Sequence, residues 1–99
     1  MPEAEQDAMR NAVSKLEAAG DTLGFPHSSR VRGAVDLREL RPRAGRSPWR
    51  AFYRRVAEEM IVAAFGTEAG VDPVRFARAV AAATQRLDAY DAERRRQRP

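Results

Sequence analysis

The chain has 99 residues, no cysteine and a formal net charge of +4, with 18 Lys and Arg against 14 Asp and Glu. That length predicts a single domain over residues 1–99 with one modest core. It leaves no disulfide framework or thiolate chemistry. No apolar run approaches the roughly 20 residues that span a bilayer, and the acidic opening PEAEQDAM is unlike a secretory leader, so a cytoplasmic protein away from membranes is expected.

Residues 3–19 read as a helix. Met9, Val13 and Leu16 share one face with Ala12 and Ala19, acids occupy the first turns, and Gly20 is a stop. Asp21–Arg32 (DTLGFPHSSRVR) reads as a loop, because Gly24, Pro26 and the Ser28–Ser29 pair punctuate it. Its histidine, His27, is the only one in the chain and reads as a loop residue. With no second histidine and no cysteine, neither a zinc or iron site nor any cofactor is expected.

Three strands are predicted next, over residues 35–41, 49–56 and 60–65, joined by a Gly/Ser/Pro turn and a very short one. An antiparallel meander is the economical arrangement. The last element, residues 73–93, opens with Asp72 as N-cap and Pro73 at the first helical position, with Val71 placed to staple against Phe76. Phe76, Val80, Ala83, Leu87 and Tyr90 form its apolar stripe, and the basic tail ERRRQRP is expected to fray. The fold class is therefore α+β: N-terminal helix, three-stranded antiparallel sheet, C-terminal helix. In this arrangement both helices cover one sheet face and leave the other open.

Charge is distributed unevenly. Residues 1–29 carry net −3, residues 30–57 net +7 and residues 58–99 net 0. Six arginines (Arg41, Arg43, Arg46, Arg50, Arg54, Arg55) fall between Leu40 and Ala57 without an acid, interleaved with Trp49, Phe52 and Tyr53. Arginine forks fit phosphate oxygens and stack on flat rings, so a polyanion, with nucleic acid first, is the partner this pattern implies. Trp49 reads as core or interface, and Glu39 as an ion-pair partner for an arginine.

The ordered motifs Leu23-Gly24-Phe25-Pro26, Glu39-Leu40-Arg41, Arg50 to Tyr53, the apolar strand ending in Phe65 and the helix opening at Pro73 resemble the RelE/ParE superfamily of toxins. The HigB-like branch is the nearest in pattern. The resemblance implies a small cytoplasmic bacterial toxin of a type II toxin–antitoxin pair, with a cognate antitoxin as partner. It further implies a ribosome-dependent endoribonuclease that cuts messenger RNA and inhibits translation. ParE-like members poison gyrase instead, so the alternatives are a non-cleaving RNA-binding module or a protein-binding module of the same fold.

On this resemblance the catalytic set is Arg41 and Arg50 at the scissile phosphate, with Tyr53 nearby as a proton carrier among cations. Arg43, Arg46 and Arg54 are the accessory RNA-binding residues. Where the family has a lysine pair after the third strand, this chain has Gly66-Thr67-Glu68.

Overall fold

A computed structural model describes residues 1–97. Its elements in chain order are α1 (Glu3–Ala19), β1 (Ser28–Arg30), β2 (Arg38–Leu40), β3 (Trp49–Val56), β4 (Glu59–Thr67) and α2 (Pro73–Arg96), with short 3-10 turns at Gly20–Thr22 and Pro42–Gly45. The sheet has four strands in the order β1-β2-β3-β4, every neighbouring pair antiparallel. The predicted three-stranded sheet is therefore corrected to four.

The additional strand is Ser28-Ser29-Arg30, inside the segment read as a loop. It carries no apolar alternation, because its inward residue is a serine. Ser28 is fully buried, and its hydroxyl is satisfied by Tyr53 Oη and by Arg38 Nε at 2.9 Å. A buried polar group with partners costs little, yet it leaves no mark in a hydropathy pattern. The strand predicted over 35–41 is confined to Arg38–Leu40. Asp36 sits in the left-handed region at φ 51°, so the backbone turns there, and Val35 projects into solvent at 84% exposure.

The sheet is covered on both faces, which corrects the expected open face. Successive strand residues point to opposite sides. From β3, Ala51 and Tyr53 meet Met9, Ala12 and Leu16 of α1, together with Leu40 of β2. Phe52 points the other way into a second cluster with Ala79, Ala83 and Leu87 of α2, Leu37, Val31 and Ala64. Phe52 and Phe76 pack edge to face, their centroids 5.5 Å apart. β3 is thus buried almost without interruption, as a strand sandwiched between two helices should be.

β3 and β4 form a hairpin with Ala57 at φ 55°, a left-handed turn residue as two-residue hairpin loops require. The register slips at Phe52/Tyr53: Phe52 pairs with Ala64 and Tyr53 with Val62, leaving Ala63 as a bulge. In α2 the Asp72 side chain accepts from the Arg75 amide at 3.0 Å. Tyr90 and Val71 are largely exposed. The helix runs on through Arg94, Arg95 and Arg96, where Arg95–Asp91 and Arg96–Glu93 pairs line its surface. Arg98, in the tail expected to fray, lies outside the described residues.

Gly66 of β4 lets α2 approach the sheet. A Cβ there would meet the Ala79 Cβ at 2.7 Å and Phe52 Cε2 at 3.4 Å. Gly66→Ala should destabilise the fold by about 1–3 kcal/mol, as overpacking does. Adding Ala79→Gly should recover part of that loss, and urea unfolding of the two single variants and the double variant measures the coupling.

Candidate functional site

The strongest local constraint in the basic stretch is Arg50. It lies on the α2 face of β3, paired in register with Gly66, and is 1% exposed. Nη1 donates to Ser47 O at 2.6 Å and Trp49 O at 2.9 Å, and Nη2 donates to Glu68 Oε2 at 2.8 Å. Nε is buried with no hydrogen-bond partner among the described residues; Glu39 Oε1 stands 3.8 Å away. Burial lowers the pKa of this guanidinium from its ordinary value, and the neighbouring charge of Arg41 acts the same way, while Glu39 and Glu68 oppose them.

Two segments hold this arrangement. The turn Pro42–Gly45 has Arg43, Ala44 and Gly45 at positive φ, and with Ser47 it directs backbone carbonyls toward Arg50. On the other side the Glu68 amide donates to Pro48 O at 2.8 Å, and the Glu68 carbonyl accepts from Val71 and Asp72 in the turn leading into α2.

Arg41, at the end of β2, donates from Nε to Pro26 O at 3.0 Å and from Nη1 to Glu39 Oε1 at 3.1 Å, and its guanidinium lies 5.2 Å from the centroid of the exposed Phe25 ring. Glu39 Oε1 also accepts from Ser29 Oγ at 3.2 Å. Charges therefore alternate Arg41–Glu39–Arg50–Glu68 along one wall of a cleft of about 340 Å³, which Arg30, Arg32, Gly70 and Phe76 help to line. Arg30 and Arg32 are exposed and have no ion-pair partner among the described residues.

Of the predicted set, Arg41 and Arg50 are brought together; Tyr53 is not. Its side chain points to the α1 face, with its hydroxyl engaged by Ser28. Arg54 is buried as a fold bolt, donating to Asp36 O at 2.8 Å and to Asp88 Oδ1 of α2 at 2.9 Å. Arg43 reaches back to Glu5 of α1 at 2.8 Å, and the same carboxylate takes the Ser47 hydroxyl. Arg46 is exposed on the turn, its Nε donating to Arg43 O at 3.1 Å. Trp49 is half-buried beneath Arg75, whose guanidinium lies 5.6 Å from the ring centroid.

Sequence reasoning missed Glu68 as a partner of Arg50, Arg30 and Arg32 as the exposed cations of the cleft, and Phe76 as part of its lining. The dipeptide spacing of Arg30 and Arg32 was the available signal. His27 lies elsewhere, with Lys15, Leu23, Leu40 and Arg43 around a cavity of about 340 Å³ against α1. Among the described residues no group of three or more His, Cys, Asp or Glu is gathered to hold a metal ion.

Chemically, the cleft offers fixed guanidinium donors for an anion and two carboxylates that accept protons. Arginine itself supplies positive charge but no proton transfer.

Residues 1–67 match the family model described as phage derived protein Gp49-like (DUF891). The matched segment holds Arg41, Arg50 and Glu39 and stops just before Glu68. No curated protein and no solved structure matches the chain.

The Tyr53 geometry has a measurable consequence. Tyr53→Phe removes one partner of a fully buried serine hydroxyl and should cost about 1–2 kcal/mol in urea unfolding. Ser28→Ala should cost less in that background than in the wild type, because the two hydroxyls serve each other; what remains is the lost acceptor of Arg38 Nε.

Proposed function

This chain belongs to the Gp49-like family, a RelE/HigB-like toxin-type family associated with toxin–antitoxin systems, and from that membership we propose that it is a toxin that engages messenger RNA at the ribosome and cuts it. The observation that carries the reading is the cleft itself: Arg41 and the buried Arg50 side by side, with the unpaired, exposed Arg30 and Arg32 on its rim. The family association also suggests an antitoxin as the protein partner.

Cleavage of RNA by its own 2′-hydroxyl needs a proton acceptor, stabilisation of the charge on the pentacovalent phosphorus, and a proton for the leaving oxygen. In this reading Arg41 and Arg50 provide the charge stabilisation, and positioning of the phosphate supplies much of the acceleration. The proton acceptor in this reading is Glu39, held by Ser29 and Arg41, which takes the 2′-hydroxyl proton while solvent water protonates the leaving oxygen. Arg30 and Arg32 hold neighbouring phosphates.

One observation favours a second reading, RNA binding without cleavage. Tyr53, the hydroxyl that would serve as acid, is on the opposite sheet face and already bonded. Inhibition would then come from blocking the message rather than cutting it.

Arg41 is the residue to test. Arg50 is embedded in the fold, and its removal would leave the buried carbonyls it serves without their donor at a cost of about 1–3 kcal/mol each. With the far-UV CD spectrum unchanged, Arg41→Ala should reduce messenger RNA cleavage in induced cells by roughly ten- to a hundredfold, the worth of one charge-assisted hydrogen bond, and relieve growth arrest. Arrest with intact messages, also relieved by Arg41→Ala, selects the second reading. Undiminished cutting and arrest in that variant would sink the proposed site.

A further inference from the structure

Arg50 is a buried cation whose accessible side is closed by one residue. Nη1 ends on the carbonyls of Ser47 and Trp49, and Nη2 also lies 3.5 Å from Gly45 O, all backbone acceptors that cannot leave. Glu68 differs. Its side chain is 40% exposed against 1% for Arg50, and a single contact to Nη2 at 2.8 Å joins them. The Glu68 backbone is pinned separately, by its amide to Pro48 O and by its carbonyl to the turn that starts α2. The carboxylate can therefore swing into water by side-chain rotation alone.

It cannot do so without replacement. A buried, unpaired guanidinium is expensive, and Arg50 already has an unpartnered Nε. The other acid in reach, Glu39, is committed to Arg41 and Ser29 and stays 3.8 Å from that nitrogen. Departure of Glu68 thus has to be coupled to arrival of another anion. The surroundings suit one: four arginines (Arg30, Arg32, Arg41, Arg50) and two glutamates (Glu39, Glu68) line the cleft. Gly70 on the rim has nothing within 4 Å of where a Cβ would stand, so that approach is open.

We propose that Glu68 is an internal plug: its carboxylate fills an anion subsite formed by Arg50 Nη2 beside Arg41, and a phosphate group of RNA takes its place by exchange. That the anion is an RNA phosphate rests on the function proposed above; the plug itself does not. Because Arg50 is fixed by backbone acceptors, the incoming phosphate meets a preorganised donor and pays no cost for ordering it. Glu68 is a specificity and positioning residue in this scheme. It raises about tenfold the concentration at which a lone anion enters, and favours a polyanion held at the same time by Arg30 and Arg32.

The test uses the full chain and two probes. The buried Arg50 Nε–H gives a side-chain amide-type resonance that reports directly on the subsite. Glu68→Gln keeps an oxygen acceptor for Nη2 and removes the charge. With inorganic phosphate as probe, the variant should shift the Arg50 resonance saturably at roughly tenfold lower concentration than the wild type, the equivalent of losing one charged competitor. With a single-stranded RNA carrying 2′-deoxy substitutions to prevent cutting, the variant should bind about tenfold tighter with the slope of log K against log salt unchanged, because the same phosphate meets Arg50 in both proteins.

A folded Glu68→Gln protein whose Arg50 resonance ignores phosphate overturns the plug. Should that variant not fold, the wild type reads the same subsite at higher phosphate, and the absence of any Arg50 shift there overturns it too. RNA binding that is equal in wild type and variant and leaves Arg50 unmoved removes the plug while leaving the RNA reading intact. Entry of phosphate without any RNA binding does the opposite: it keeps the plug and removes both the RNA phosphate and the function it rests on.

Discussion

A guanidinium buried to 1% exposure makes demands that propagate through this molecule. It carries five N–H donors and no means of shedding its charge at ordinary pH. Acceptors must be brought to Arg50, and the turn before β3 does that. Arg43, Ala44 and Gly45 adopt positive φ so that the chain between Pro42 and Ser47 curls its carbonyls inward. Gly45 is doubly constrained, because a Cβ there would meet Arg41 Nη2 at 2.6 Å. On the neighbouring strand the partner of Arg50 is Gly66, whose missing Cβ lets α2 close on the sheet. Replacing this one cation would therefore disturb a turn, a strand pair and a helix contact together.

The second constraint is β3, which has to satisfy two cores. Its Ala51 and Tyr53 serve α1, and its Phe52 serves α2. Arginines can occupy such a strand only where their charge is met by acids or carbonyls from other elements. Arg50 and Arg54 meet that condition at opposite ends of the α2 face, Arg50 with Glu68 and Arg54 with Asp88. Each ion pair joins β3 to the segment that follows the hairpin. The polar residues in the strand thus fix where α2 lies while the apolar ones supply the burial.

Much of this was legible in the chain. The bounds of α1 and β3 and the Asp72–Pro73 start of α2 follow from caps, punctuation and periodicity, which are local signals. β1 was not legible, because a serine satisfied by Tyr53 and Arg38 leaves no hydropathic trace and its partners lie 25 and 10 residues away. The covering of both sheet faces was missed for a related reason. A strand rich in arginine reads as half exposed unless the distant acids that neutralise it are known. At the site, the pairing of Arg41 with Arg50 could be read from their motifs. The exclusion of Tyr53 turns on strand alternation across the sheet: residues 50 and 53 differ by an odd number and point to opposite faces.

The block of positive charge in the middle third largely dissolves once the chain is folded. Acids from the N-terminal third return to it, Glu5 to Arg43 and Asp21 to Arg55. Acids from the C-terminal third do the same, Glu68 to Arg50 and Asp88 to Arg54. Among the described residues of the cleft, the field that survives lies where no acid returns, at Arg30 and Arg32; Arg46 also lacks an acid but sits on the turn, outside the cleft lining. None of the six clustered arginines is as free of compensation on the cleft rim as these two, which precede the cluster in sequence. For exposed charges beyond a Debye length of about 8 Å, screening removes most of the pull. On the function proposed above, a polyanion would be drawn by the uncompensated rim and not by the count of arginines. In that proposal Arg41 and Arg50 would act after capture, at contact distance, where their low solvent exposure makes each hydrogen bond count for more.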